Sequence, residues 1–171
     1  MAYSNIEPNV YGVAVWLAQY IPTYLTAANA EQTSWPGDMV FPSIFLVPDE
    51  DYNPPALRRA AVGSSIPMEG PFPYLMVELD SVDVEWAGQN SEFITLRLRV
   101  IIALQETREK KLLAALTRYM DALVQAVGHN VTLGGLLEEA KVTHIEKDEL
   151  PANHVGFVTA DMTAKFEILC E

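Results

Sequence analysis

The stretch Phe93–Leu104, FITLRLRVIIAL, decides how this chain is read. Ile94, Leu96, Leu98, Val100, Ile102 and Leu104 fall on every second position. Side chains of a strand alternate between its faces, so these residues point the same way. The other face carries Thr95, Arg97 and Arg99, then turns apolar at Ile101 and Ala103. Such a strand spans roughly 40 Å at about 3.3 Å per residue. That is about twice the usual strand of ~5–6 residues. One core does not need a strand that long, and the excess is expected to be surface for another subunit.

The flanking segments read as partners of that strand. Tyr74–Trp86 is extended, with Leu75, Val77 and Leu79 on one face and Val82, Val84 and Trp86 in the opposite parity. One extra residue flips every later side chain, so a bulge or bend is expected near Asp80-Ser81. Ala87–Ser91 (AGQNS) supplies a hairpin turn, which makes the two strands an antiparallel pair. Thr107 reads as the N-cap of a helix running to about Val127. Leu112, Leu113, Leu116, Met120, Leu123, Val124 and Val127 keep the helical period. Glu106 and Glu109 stand at the positive end of its dipole, and Gly128 suits the left-handed position after its end.

His129–Gly135 reads as a turn or short irregular crossing. Glu138–Lys147 is expected to be a strand, although Ala140 and Val142 share one parity and Thr143 and Ile145 the other. Asp148–His154 is a connecting loop. Val155–Cys170 alternates apolar and polar residues, the pattern of an antiparallel strand with one wet side.

Toward the N-terminus, Asn9 can cap a helix that ends at about Ile21, ahead of Pro22. Val10, Val13, Ala14, Leu17 and Ile21 make one apolar face, while Tyr11, Val15 and Trp16 lie off it. A helix apolar over most of its girth is buried on more than one side. It is either a core helix or one shared with a partner through Trp16. Residues 22–42 read as irregular, with a turn at Trp35–Asp38, and Ser43–Val47 as a short strand. Residues 48–73, rich in Pro and Gly, read as a mobile loop, expected to be protease-sensitive over 49–70. This loop holds Arg58 and Arg59, the first bases of the chain, as a solvated segment or an arm for a neighbour's acidic surface. Helices and strands come in separate runs. The expected class is therefore α+β, a single domain over residues 1–171. An antiparallel sheet with one long strand is packed on one face by an N-terminal and a central helix.

Composition narrows the function. The chain has 171 residues, half of them hydrophobic, and a net charge of −12. No basic stripe is present to clamp phosphates, although DNA could pass by without sticking. A single cysteine, Cys170, excludes an internal disulfide and fits a reducing compartment. No signal peptide and no membrane span is expected.

Chemistry is hard to find. His129, His144 and His154 match no zinc spacing, so no metal is expected. Asp83 and Glu85 share one side of a strand, which suits a solvated face better than an acid–base pair. Ser64-Ser65 lacks the nucleophile-elbow pattern, and there is neither a P-loop nor a dinucleotide fingerprint. No cofactor and no enzymatic activity are expected. Arg97 and Arg99 stand side by side on the polar face of the long strand. They either face water and intramolecular acids, or form an inter-subunit ion-pair row with carboxylates that suit the planar guanidinium. The expected subunit-interface residues are thus Arg97, Arg99, Arg58, Arg59 and Trp16.

From about Pro71 onward the chain resembles the tail terminator (tail completion) proteins of long-tailed bacteriophages. The resemblance lies in VDVEW at Val82–Trp86, FITLRLRVIIAL, the helix Glu109–Val127, VTLGGLLEEAKVT at Val131–Thr143 and VGFVTADMTAKFEILC at Val155–Cys170. Residues 22–70 depart from the compact pattern of that family. The resemblance implies a structural virion protein, assembled in the host cytoplasm as a homo-hexameric ring at the head-proximal end of the tail. It implies as partners the tail tube protein and a head-completion or connector protein, with DNA passing through the lumen. An acidic lumen suits that task, because like charge keeps DNA from adhering. Two alternatives stand beside it: another neck or tail tube component, and a small enzyme or ligand-binding domain with a pocket near the Pro-rich loop.

Overall fold

A computed structural model describes residues 6–31, 45–46, 58–59, 72–150 and 153–169. The described elements are α1 (Ile6–Glu31), β1 (Phe45–Leu46), β2 (Arg58–Arg59), β3 (Tyr74–Gly88), β4 (Ser91–Gln105), α2 (Glu109–His129), β5 (Glu139–Leu150) and β6 (Val155–Leu169), with a 3-10 turn at Leu133–Gly135 before β5. The expected loop over 48–73 lies outside the described residues, apart from β2, Phe72 and Pro73.

The strands form one sheet in the order β1-β3-β4-β6-β5, with β2 also on β3. β3, β4, β6 and β5 pair antiparallel, whereas the two-residue β1 and β2 pair parallel to β3. Both helices lie on one face, so the class is α+β as expected. The long strand is one of three, since β3, β4 and β6 each run fifteen residues. They share their register over most of that length.

The alternation in β4 does what the spacing predicts. Ile94, Leu96, Leu98, Val100, Ile102 and Leu104 are all buried, beside Val158, Ala160, Met162, Ala164, Phe166 and Ile168 of β6. The helices complete that layer with Leu17, Ile21, Leu116, Tyr119 and Leu123. Gly156 allows α2 to lie close, because a Cβ there would come within 2.6 Å of Leu116 Cδ1. Burial pushes the Tyr119 phenol up, so it stays neutral in the core. On the opposite face a smaller cluster, Tyr74, Met76, Ile101, Ala103, Val155 and Phe157, is buried at the base of the sheet. This is where β4 turns apolar on its second face.

Two bulges account for the irregular alternation. The β3–β4 register shifts between Leu79 and Ser81, which leaves Asp80 as the extra residue. Leu75, Val77, Leu79, Val82 and Val84 thereby share the helix-side face despite their change of parity. In β5 the shift falls between Val142 and His144. Thr143 is the extra residue, and Val142 and Ile145 both turn inward against the main core.

Five element ends differ from the sequence reading. α1 begins at Ile6, ahead of the Asn9 expected to cap it, so Asn9 lies inside the first turn. α1 does not stop before Pro22 but continues to Glu31. Proline removes one helix hydrogen bond and costs about 3 kcal/mol in a helix interior. The buried stripe nevertheless continues past it through Leu25 and Ala28, and this burial offsets the loss. At the start of α2 the N-cap position is Arg108, not Thr107. The Glu106 carboxylate accepts the Arg108 backbone N–H at 3.1 Å and its side chain at 3.1 and 3.3 Å. The hydrogen bond from the Arg108 side chain is the chief cause of the Glu106 pKa falling from 4.5 to about 2. At the other end, Gly128 lies inside the helix and Asn130 closes it. The Asn130 side chain donates to Ala126 O at 3.0 Å and to the Tyr24 hydroxyl of α1 at 2.9 Å. Finally, β5 extends to Leu150, which shortens the connection to β6.

Candidate assembly surface

Beyond the apolar cluster at its base, the sheet face away from the helices is ruled by charge. Consecutive strands place side chains in rows across it, so that Glu78, Arg99, Asp161 and His144 stand opposite one another, as do Ser81, Arg97, Thr163 and Lys141. Arg97 Nε donates to Asp83 Oδ2 at 2.8 Å, and Arg99 Nε lies 3.7 Å from Asp161 Oδ1. The two arginines therefore meet carboxylates of their own chain. All four side chains remain about half exposed. Ion pairs so placed contribute about 0–1 kcal/mol to stability and leave further guanidinium donors directed outward. Lys165 Nζ sits 4.1 Å from the centre of the Phe93 ring, and His144 Nε2 lies 3.7 Å from Glu146.

The remaining interface candidates lie elsewhere. Trp16 is buried in the main core, stacked on Tyr20 with ring centroids 4.5 Å apart. Gly134, at φ 71°, sits beside its indole nitrogen. Within one subunit, then, Trp16 serves the core, with Tyr20 as the more exposed ring of the pair. Arg58 and Arg59 form β2, in register with Glu78 and Leu79. The structure thus brings Arg97 and Arg99 together on one face, places Arg58 and Arg59 along the β3 edge, and sets Trp16 apart from both.

The outer half of the β3–β4 hairpin is where the structure adds something. β3 is buried from Tyr74 to Glu78 and exposed from Asp83 to Gly88. Val84 and Trp86 are 46% and 76% exposed, on the helix side of the sheet but beyond the reach of the helices. Alternation assigns them the core face correctly. It gives no sign that the core ends before they are reached. The one signal is compositional, since both apolar side chains alternate with Asp83 and Glu85 in a strand without Lys or Arg.

Among the described residues no group of three His, Cys, Asp or Glu side chains could hold a metal, and no helix is long and apolar enough to cross a membrane. No protein-family model and no curated protein matches the chain. Among solved structures, a chain from the virion of a native gene transfer agent particle is similar at 15% identity and a TM-score of 0.36, covering 66% of this chain and 79% of that one. A likeness at that level leaves the function to be argued from the residues themselves.

Proposed function

We propose that this chain is a structural virion protein, not an enzyme. It forms a ring at the head-proximal end of a phage tail, ends polymerisation of the tail tube and offers the surface on which the head docks. The observation that carries the reading is a sheet built longer than its own core. Three fifteen-residue strands run side by side, yet the helices cover only part of them and leave Val84 and Trp86 in water. Two exposed apolar side chains on one strand face support a protein–protein contact there. The resemblance of residues 71–171 to tail terminators supplies the setting. Partners in this reading are further copies of the chain, the tube protein and a head-completion or connector protein. DNA crosses the lumen, and the net charge of −12 disfavours its adhesion. Arg97 and Arg99 would add a charged row on the opposite face of the sheet.

Electron micrographs of particles assembled with and without this protein test the proposal. Overlong tails without heads are expected in its absence. Tails of normal length joined to heads would overturn it.

A further inference from the structure

The two margins of the sheet are built differently. On one side β1 and β2 pair with Tyr74, Leu75, Glu78 and Leu79, and among the described residues no strand lies beyond β3 from Asp80 to Gly88. On the other side β5 is the last described strand, and α2 packs beside it. Lys147 Nζ of β5 donates to Thr117 Oγ1 of α2 at 3.2 Å. Val124 lies two turns further along the same side of α2 and is 44% exposed. One margin therefore projects bare apolar side chains, and the other has a helix above it with an apolar side chain facing out.

The strand directions agree with a contact between these margins. β3, β4, β6 and β5 alternate in direction, so β5 of one copy set beside β3 of another forms an antiparallel pair with no inversion of the sheet. β1 and β2 already hold the base of β3, so the second copy must be offset along the strands. That offset carries Trp86 along β5 toward Ile145, at the height of Val124 about 10 Å beyond Thr117 on α2. Charge does not drive this pairing, because β3 carries Glu78, Asp80, Asp83 and Glu85 with no base and β5 carries Lys141 and Lys147 among Glu139, Glu146, Asp148 and Glu149, so strand pairing and the apolar side chains carry the contact.

We infer that the open half of β3, anchored by Trp86, docks beneath α2 on the β5 margin of a second copy of the chain. The contact is heterologous, because each copy offers one surface and accepts the other, and such contacts close into rings when the rotation closes. A buried tryptophan removes ~150–250 Å² from water and is a common hot spot. The inference rests on the ring-forming reading and names its contact.

Trp86→Glu disables the docking strand, and Val124→Glu disables the receiving margin. Both positions are exposed in the single chain, so each variant should melt like the wild type. Sedimentation of the full-length chains over a concentration series, with and without tail tubes, is the measurement. The wild type should form multimers, and each variant alone should associate at least about tenfold more weakly. A one-to-one mixture should give a heterodimer and nothing larger, because one intact strand meets one intact margin. Wild-type multimers from either variant, or a mixture no more associated than its components, would overturn the inference and leave the ring reading standing. Variants that form normal multimers but lose tube binding would also overturn it, by assigning the patch to the tube protein. A wild-type chain that stays monomeric even on tubes would instead remove the ring reading itself.

Discussion

The two ends of β3 are one strand in two environments. Tyr74–Glu78 is buried, with Leu75 and Val77 under the helices and Tyr74 and Met76 in the second cluster. Asp83–Gly88 belongs to the same hydrogen-bonded ladder, yet it is exposed throughout. The Asp80 bulge separates the halves and keeps the apolar side chains of both on the helix side. The base of the sheet therefore holds the fold, whereas the tip is carried by it without being part of the core. Exposed apolar side chains add nothing to the stability of a lone chain, because they are not removed from water.

That contrast can be broken by substitution. Ile102 is fully buried at the base, between the helices and β6. Ile102→Ala should cost about 3 kcal/mol in denaturant unfolding, whereas Trp86→Ser at the tip should stay within about 0.5 kcal/mol. Equal losses at the two sites would show that the tip, too, belongs to the core.

A smaller effect sharpens the account of the base. Glu106 holds Arg108, the N-cap residue of α2, where β4 ends, and it also lies 3.7 Å from Lys111. Glu106→Gln should cost about 1 kcal/mol at neutral pH. The folded-state pKa, about 2, lies below the ordinary 4.5, so this contribution is present above pH 4.5 and is lost as pH falls toward 2. The gap between wild type and Glu106→Gln should therefore close over that window in acid unfolding curves. A constant gap would assign the loss to packing instead.

The smallest effect on folding belongs to the polar face. Arg97→Glu together with Arg99→Glu breaks two exposed pairs and should shift the melting midpoint of the free chain only slightly. It should also weaken assembly on tubes. Assembly unchanged by this double substitution would confine the arginines to their own subunit.

Much of the architecture was legible because periodicity reports burial directly. FITLRLRVIIAL gave its face residue by residue, and the parity switch at Asp80-Ser81 gave the bulge. The weak alternation of β5 hid a second bulge at Thr143, since an extra residue makes a regular face look irregular. Element ends were harder to place. Pro22 and Gly128 are helix breakers by local propensity, but continued burial of Leu25 and Ala28, and the Asn130 closure, overrode them. The candidate surface was legible only in part. Sequence could name Arg97 and Arg99 as neighbours on a polar face, but not the carboxylates of the same chain that meet them. Nor could it show Trp16 enclosed, or Trp86 in water. Both are tryptophans on apolar faces, and their difference lies in how far the helices reach.

Amide hydrogen exchange in the free chain and in the tube-bound assembly tests the division most directly. The account predicts that residues 82–88 of β3 exchange quickly in the free chain and become protected on assembly, while residues 74–77 are protected in both. Equal exchange of the tip in the two states would contradict it.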